Sequence, residues 1–380
     1  MKKKVLFIVP QLIHGGSNKS LECILDVINQ SDREIRIISL GVKVPREPYR
    51  RVFAEYLIPL SRVFNSCVQI TLVRKFLNAL QNYLHLNPWS HIFERESRLL
   101  QKKWNFDIVV GFEESYATYF ASLFDAAKKI AWVHCDYDDY LIRSNHKDEE
   151  KTYSRFNKII CVSEYTRKTF LKAYPALESR TDYLYNLLDE KTINNKAKES
   201  INDTRFDASV YSIISIGRFV EVKQFHLIPE IVRKMCMANS NLPFVWYIIG
   251  GGDKSLMEIT ERKINEYNLN GRIRLLGQID NPYPYICQSN LLVSTSRSEA
   301  CPYVVLEAKL LHVPVVLNDF PTAFEMTDAA YGKVSNIEQM PQLLYDLVCD
   351  KDGQYTQLKH SSDKIRYDSS AIRLKLEAIL

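Results

Sequence analysis

Two familiar nucleotide-binding signatures are missing from this 380-residue sequence, which has only 12 glycines. A P-loop needs G-x-x-x-x-G-K-[ST]. In "HGGSNKS" Asn18 precedes Lys19, and Ile13 stands where the first glycine should be. A dinucleotide fingerprint needs G-x-G-x-x-G and an acid after the second strand. Here Gly15 and Gly16 are adjacent, and "IISLGVKV" carries no acid, which disfavours a nicotinamide-dependent oxidoreductase. No apolar run approaches the ~18–20 residues that cross a bilayer. Eight cysteines (Cys23, Cys67, Cys135, Cys161, Cys236, Cys287, Cys301, Cys349) form no C-x-x-C pair and no metal-like cluster. Several lie in apolar runs, as reduced core cysteines do. The net charge of +5 is too weak to argue for nucleic acid, and no basic stripe interleaved with aromatics offers a base-stacking platform. "MKKKVLFIVPQLIHGG" begins basic and apolar like a leader peptide. Its apolar run is short, however, and breaks at a proline and glycine turn without a small-residue cleavage site, so it reads as a first strand. The expectation is a cytoplasmic protein.

What is present is a soluble-type composition, 46% hydrophobic and 25% charged, long enough for two domains. Strand and helix patterns alternate. "KVLFIV" is a continuous apolar run, as a parallel strand buried on both faces requires. Further strands are expected at 34–41, 106–112, 129–135 and 158–164, and residues 60–103 read as mostly helical. The polar stretch "EKTINNKAKESINDTRFD" has the composition of an interdomain linker. Beyond it, strands at 210–218, 244–252, 272–278, 290–296 and 313–319 alternate with helices near 224–238, 254–268, 282–288 and 302–312. The implied architecture is α/β, with two doubly wound Rossmann-like domains facing a central cleft. Residues 1–190 form the first domain, 191–208 a linker, 209–362 the second domain, and 363–380 a terminal helix.

Four features carry chemistry. Gly15 and Gly16 sit between a strand and a helix, where backbone amides suit an anion or a sugar; a plain tight turn is the alternative. Arg218 and Lys223 in "GRFVEVK" follow the carboxyl end of a strand and suit a diphosphate, or are ordinary surface charges. "IIGGGD" crowds Gly250, Gly251 and Gly252 at a strand end, giving backbone clearance for a ligand or a structural turn. In "RSEACPYVVLEAKLLHVPVVLND", Pro302 fits the first turn of a helix with Ser298 as its cap, so that amides near Ala300, Cys301 and Tyr303 form an anion site. Glu307 shares a face with Tyr303, Val304, Leu310 and Leu311. A buried carboxylate there needs a cation or a ligand's hydroxyl pair. Asp136, Asp138 and Asp139 include a D-x-D tripeptide, a pattern common by chance.

Those residues resemble the retaining glycosyltransferases of the large family 4, which have the GT-B fold. The resemblance is carried by the Glu299 to Glu307 pair, "SIGRFVEVK", "IIGGGD", "RIRLLGQIDNPYPYICQSNLLVSTS", "IVPQLIHGGSNKSL", "WVHCD", "CVSEYTRKTF" and "YLYNLLD" with Asn186. It is strong from 210 to 320 and loose from 40 to 105, and is nearest to bacterial enzymes of capsule, O-antigen or exopolysaccharide assembly. The resemblance implies a C-terminal helix crossing back to an acceptor-binding N-terminal domain. It implies that Glu307 holds the ribose hydroxyls, Glu299 the donor sugar, and Arg218 and Lys223 the leaving diphosphate. Gly16 would approach the donor phosphate and His134 would line the sugar pocket; a buried structural histidine is the alternative. The donor would be a UDP- or GDP-linked sugar, and the acceptor a glycan or polyprenyl-diphosphate-linked glycan, with no cofactor and no metal. A non-catalytic sugar-binding subunit is the competing reading. Ala300-Cys301 and Ser17-Asn18 depart from the family's usual residues. The basic and aromatic residues of 60–103 suit an anionic membrane surface, or equally a solvated helical face.

Overall fold

The computed structural model describes residues 2–12, 15–28, 33–41, 53–84, 88–143, 149–327, 331–365 and 367–380. Ile13 and His14 of the glycine loop lie outside them. The chain forms two compact units, Met1–Leu187 with Ser370–Leu380, and Leu188–Ser369.

In the first unit six parallel strands form one sheet: β1 (Lys3–Val9), β2 (Arg33–Ser39), β3 (Ile108–Gly111), β4 (Lys128–Val133), β5 (Lys158–Cys161) and β6 (Thr181–Tyr183). Their order is β2-β1-β3-β4-β5-β6. Val5, Leu6, Phe7 and Ile8 are all fully buried, as their unbroken apolar run anticipates for a strand covered on both faces. Residues 60–103 are helical where expected, with helices Arg62–Gln69, Thr71–Leu84 and Pro88–Trp104.

The second unit has β7 (Tyr211–Ile216), β8 (Phe244–Ile249), β9 (Ile273–Gly277), β10 (Leu291–Ser294), β11 (Val315–Leu317) and β12 (Gly332–Val334), in the order β12-β11-β10-β7-β8-β9. All of these pairs are parallel. Strand order reverses between β1 and β3 in the first sheet and between β7 and β10 in the second. Open α/β sheets place ligands outside the carboxyl ends of strands at such reversals.

Two boundaries differ from the sequence reading. The stretch expected as linker, 191–208, packs on the second unit. Helix Glu190–Lys196 is capped by Asp189, whose side chain accepts from the Thr192 amide at 3.0 Å. Arg205 donates to the carbonyls of Leu275 and Leu276, and Phe206 packs its ring against Tyr247 and Tyr285. A single aromatic and a few backbone-directed hydrogen bonds anchor a segment whose composition looked unanchored. The terminal helix expected over 363–380 is two helices, Gln354–Lys364 and Ser370–Ile379. The second belongs to the first unit, where Lys375 Nζ donates to Asp182 Oδ1 at 2.9 Å and the Tyr183 carbonyl at 2.7 Å. Among the described residues no helix is long and apolar enough to cross a membrane.

Candidate functional site

The loops leaving β7, β10 and β11 are tied to one another at the carboxyl edge of the second sheet. Thr295 Oγ1 donates to the Lys223 carbonyl at 2.7 Å and the Arg297 amide to the Val222 carbonyl at 2.9 Å. Thr322 Oγ1 donates to the Glu299 carbonyl at 2.8 Å, and Asn318 Nδ2 to the Ser296 carbonyl at 3.0 Å. This lattice fixes the backbone that carries Lys223 and Glu299. Their side chains form an ion pair across the β7/β10 reversal, with only 21% and 15% of each exposed. The Lys223 stem crosses Gly217, where an added Cβ would meet Lys223 Cε at 3.4 Å. Arg218 follows directly and is exposed, and it makes no hydrogen bond or ion pair among the described residues. An unpaired guanidinium beside a half-buried ion pair leaves net positive charge at the strand end, which suits a diphosphate.

Ala300, Cys301, Pro302, Tyr303 and Glu307 are all buried. The helix spans Tyr303–Leu310, and Pro302 occupies its cap with an extended backbone (φ −71°, ψ 119°) and no side-chain cap. Pro302 is therefore not inside the first turn, and Ser298 does not cap the helix. The proline carbonyl starts the helix by accepting from the Val305 amide at 3.1 Å. Glu307 is 5% exposed, and the Tyr283 hydroxyl lies 3.5 Å from its Oε1.

The glycine run has a different cause from the clearance expected of it. A Cβ on Gly250 would fall 1.8 Å from the Gly217 carbonyl oxygen, and one on Gly252 2.5 Å from that of Phe219. Both glycines have positive φ, 149° and 153°. The chain's own 217–219 ribbon takes that space, paired through Phe219 N to Gly251 O at 2.9 Å and Asp253 N to Phe219 O at 2.8 Å. Only Gly251 has no close backbone neighbour at its Cβ position.

In the first unit, a Cβ on Gly15 would meet nothing within 4 Å among the described residues. The helix Gly16–Ile28 begins at the next residue. The departure Ser17-Asn18 has a local role. Asn18 Nδ2 donates to the Gln11 carbonyl at 3.1 Å, and Ser17 Oγ to Glu113 Oε2 at 3.3 Å across the β1/β3 reversal. His134 directly follows β4 and lies between aromatic rings, 4.6 Å from Phe112 and 6.3 Å from Trp132. Burial pushes its pKa down to about 3, so the imidazole is neutral at pH 7, and Nε2 has no hydrogen-bond partner among the described residues. Its backbone amide and that of Cys135, at 3.0 Å, donate to Glu114 Oε1. Burial raises the Glu114 carboxyl above its usual value against the opposing pull of those amides. Sequence reasoning missed Glu114 and Glu113. The available signal was a pair of acids, "GFEES", directly after a strand. Asp138 is engaged with Lys172 at 3.3 Å.

Comparison with known proteins bears on the fold and on what the chain is similar to. Residues 196–340, under half of the chain, match the family model of glycosyl transferases group 1, and the chain has the GT-B fold. An uncharacterized glycosyltransferase of Methanocaldococcus jannaschii is 28% identical over 178 residues, covering 45% of this chain and 42% of that protein. The match thus spans under half the length of that relative. The capsular polysaccharide biosynthesis glycosyltransferase CapH of Staphylococcus aureus is 27% identical over 274 residues, covering 68% and 71%. Among solved structures, Anabaena HepE in complex with UDP and glucose superposes with a TM-score of 0.75 at 16% identity, covering 99% and 98% of the two chains.

Proposed function

We propose that the chain is a retaining glycosyltransferase. It moves a sugar from a UDP- or GDP-linked donor to a hydroxyl of a glycan or polyprenyl-diphosphate-linked glycan in surface polysaccharide assembly. The observation that carries this reading is the grouping at one strand reversal of unpaired Arg218 with the Lys223–Glu299 pair. The buried Glu307 supplies a carboxylate for a ribose diol. CapH, named for capsular polysaccharide biosynthesis, and HepE, solved with UDP and glucose, support the substrate class.

In the proposed step the bond from the anomeric carbon to the leaving diphosphate breaks, and the acceptor oxygen bonds to the same face. The acceptor's proton passes to the leaving phosphate oxygen. Arg218 and Lys223 stabilise the charge growing on that diphosphate, and Glu299 orients the sugar hydroxyls. The amides about Ala300 to Tyr303 and Gly251 serve the donor. Catalysis is then orientation and electrostatic stabilisation, with two protein cations in the place of a divalent metal and no cofactor. The exposed Leu72, Phe76 and Tyr83 of helix Thr71–Leu84, beside Lys75, support a peripheral contact with an anionic membrane face.

A thermal-shift series with UDP, GDP and their sugars tests the donor assignment. At a hundred times Kd a ligand of the native state adds about 2.7 kcal/mol of stability. Stabilisation by one nucleotide, followed by transfer giving a product of retained anomeric configuration, is expected. A response to none of them overturns the reading, and binding without turnover favours the non-catalytic subunit. Activity lost in EDTA and restored by manganese would refute metal independence. Flotation with anionic liposomes tests the membrane contact.

A further inference from the structure

The first unit contains a cavity of about 500 Å³ that the donor assignment does not use. Pro10 and Gln11 beyond β1, and Leu40 and Gly41 beyond β2, place it at the carboxyl edge of the first sheet. Its other wall comes from the helices of 62–104 and helix Tyr116–Ser122. Phe93, itself buried, lies parallel to Tyr116, with an interplanar angle of 7° and ring centroids 6.3 Å apart, and Trp89 packs against Phe93 at 6.3 Å. Tyr116 is 55% exposed, an aromatic face that packing of the core does not explain. The Trp89 indole donates to Asn78 Oδ1 at 2.9 Å, which occupies that acceptor and leaves the Asn78 amide nitrogen as a donor. Arg74 lines the same cavity, and its guanidinium makes no hydrogen bond or ion pair among the described residues. No carboxylate is among the described lining residues.

We infer that this cavity binds a sugar ring carrying one negative charge, and that this ring belongs to the acceptor, an identity that rests on the function proposed above. Aromatic faces take the apolar C–H face of a pyranose, an amide donor takes a ring hydroxyl, and one free guanidinium takes one carboxylate or phosphate. A nucleoside diphosphate would call for more cations than Arg74, the one cation among the described lining residues.

Titration calorimetry on the full chain tests this with methyl β-glucuronide, glucose 1-phosphate and the neutral methyl β-glucoside. Both anionic probes, or the one whose charge the acceptor carries, should bind about tenfold tighter than the neutral glycoside. Arg74→Gln should bring the charged and neutral probes to within about twofold. Tyr116→Leu, at a position 55% exposed, should weaken all of them together while UDP still shifts the melting temperature of the variant. Equal affinity for charged and neutral sugars, or binding of none, overturns the inference. A parallel UDP thermal shift separates the two readings. If UDP stabilises the chain while no sugar probe binds, only the cavity assignment falls; if UDP also fails, the donor assignment falls with it.

Discussion

At the scale of single residues, Arg218 and Lys223 differ in what their loss should do. Arg218 has no partner in the described structure, so Arg218→Ala leaves no charge stranded and should not change stability by more than about 0.5 kcal/mol. If it stabilises the leaving diphosphate, kcat should nevertheless fall by about 2–4 kcal/mol of barrier, by analogy with loss of an oxyanion-hole donor. Turnover near wild type in Arg218→Ala, with unchanged melting temperature, would remove the assignment. Lys223→Ala leaves Glu299 unpaired and mostly buried, so its melting temperature should drop as well. At His134 the imidazole is held neutral by burial, with a pKa of about 3. A histidine with a lowered folded pKa contributes its stability above the unfolded value near 6.5 and loses it as pH falls toward 3. An imidazole NMR titration should accordingly show no protonation of His134 between pH 5 and 8. A midpoint near 6.5 would show that the ring is solvated and charged in use.

At the scale of elements, the strand edges were legible and the contacts between them were not. Strands buried on both faces announce themselves as apolar runs, so β1, β4, β7 and β8 could be placed from sequence to within a few residues. The pairing of Lys223 with Glu299 spans 76 positions and exists only once β7 and β10 are neighbours. The hold of Glu114 on the His134 and Cys135 amides likewise requires the β3–β4 register. The glycine run was visible, but its cause was the backbone of 217–219, which no local pattern reveals. Gly250→Ala should therefore cost at least about 3 kcal/mol, from positive φ and a backbone clash, while Gly15→Ala should leave stability nearly unchanged. Denaturant melts of the two variants decide between backbone packing and ligand clearance at Gly250. Helix Ser370–Ile379 offers a pH test of its own. Burial raises Asp182, but the hydrogen bond from Lys375 and the Tyr183 amide outweigh it and hold the carboxyl below its usual 3.8. A depressed carboxylate contributes stability above its unfolded value and loses it as pH falls through the folded one. Both partners are over a third exposed, so the pair contributes within about 1 kcal/mol. The melting temperatures of Asp182→Asn and wild type should differ near neutral pH and converge below pH 4; a constant gap would place the effect elsewhere.

At the scale of the whole molecule, the chain leaves the first unit after Leu187, builds the second, and returns at Ser370. Each unit has its own sheet and its own apolar core, the one around Val109 and Phe120, the other around Ile213 and Trp246. A ligand stabilises only what its binding free energy is coupled to. UDP alone, if it sits where Arg218, Lys223 and Glu307 are placed, is coupled to the second unit. Hydrogen exchange with and without saturating UDP should then slow in the peptides of β7, β10 and helix Tyr303–Leu310. The strands β1, β3 and β4 should exchange at their unliganded rates, because their opening does not release the nucleotide. Slowing of the first sheet to the same degree would show that the two cores open as one cooperative block. Slowing of the first sheet alone would put the nucleotide on the wrong unit and take the roles of Arg218, Lys223 and Glu307 with it. The contrast between the two sheets, not the size of the global shift, is what locates the donor.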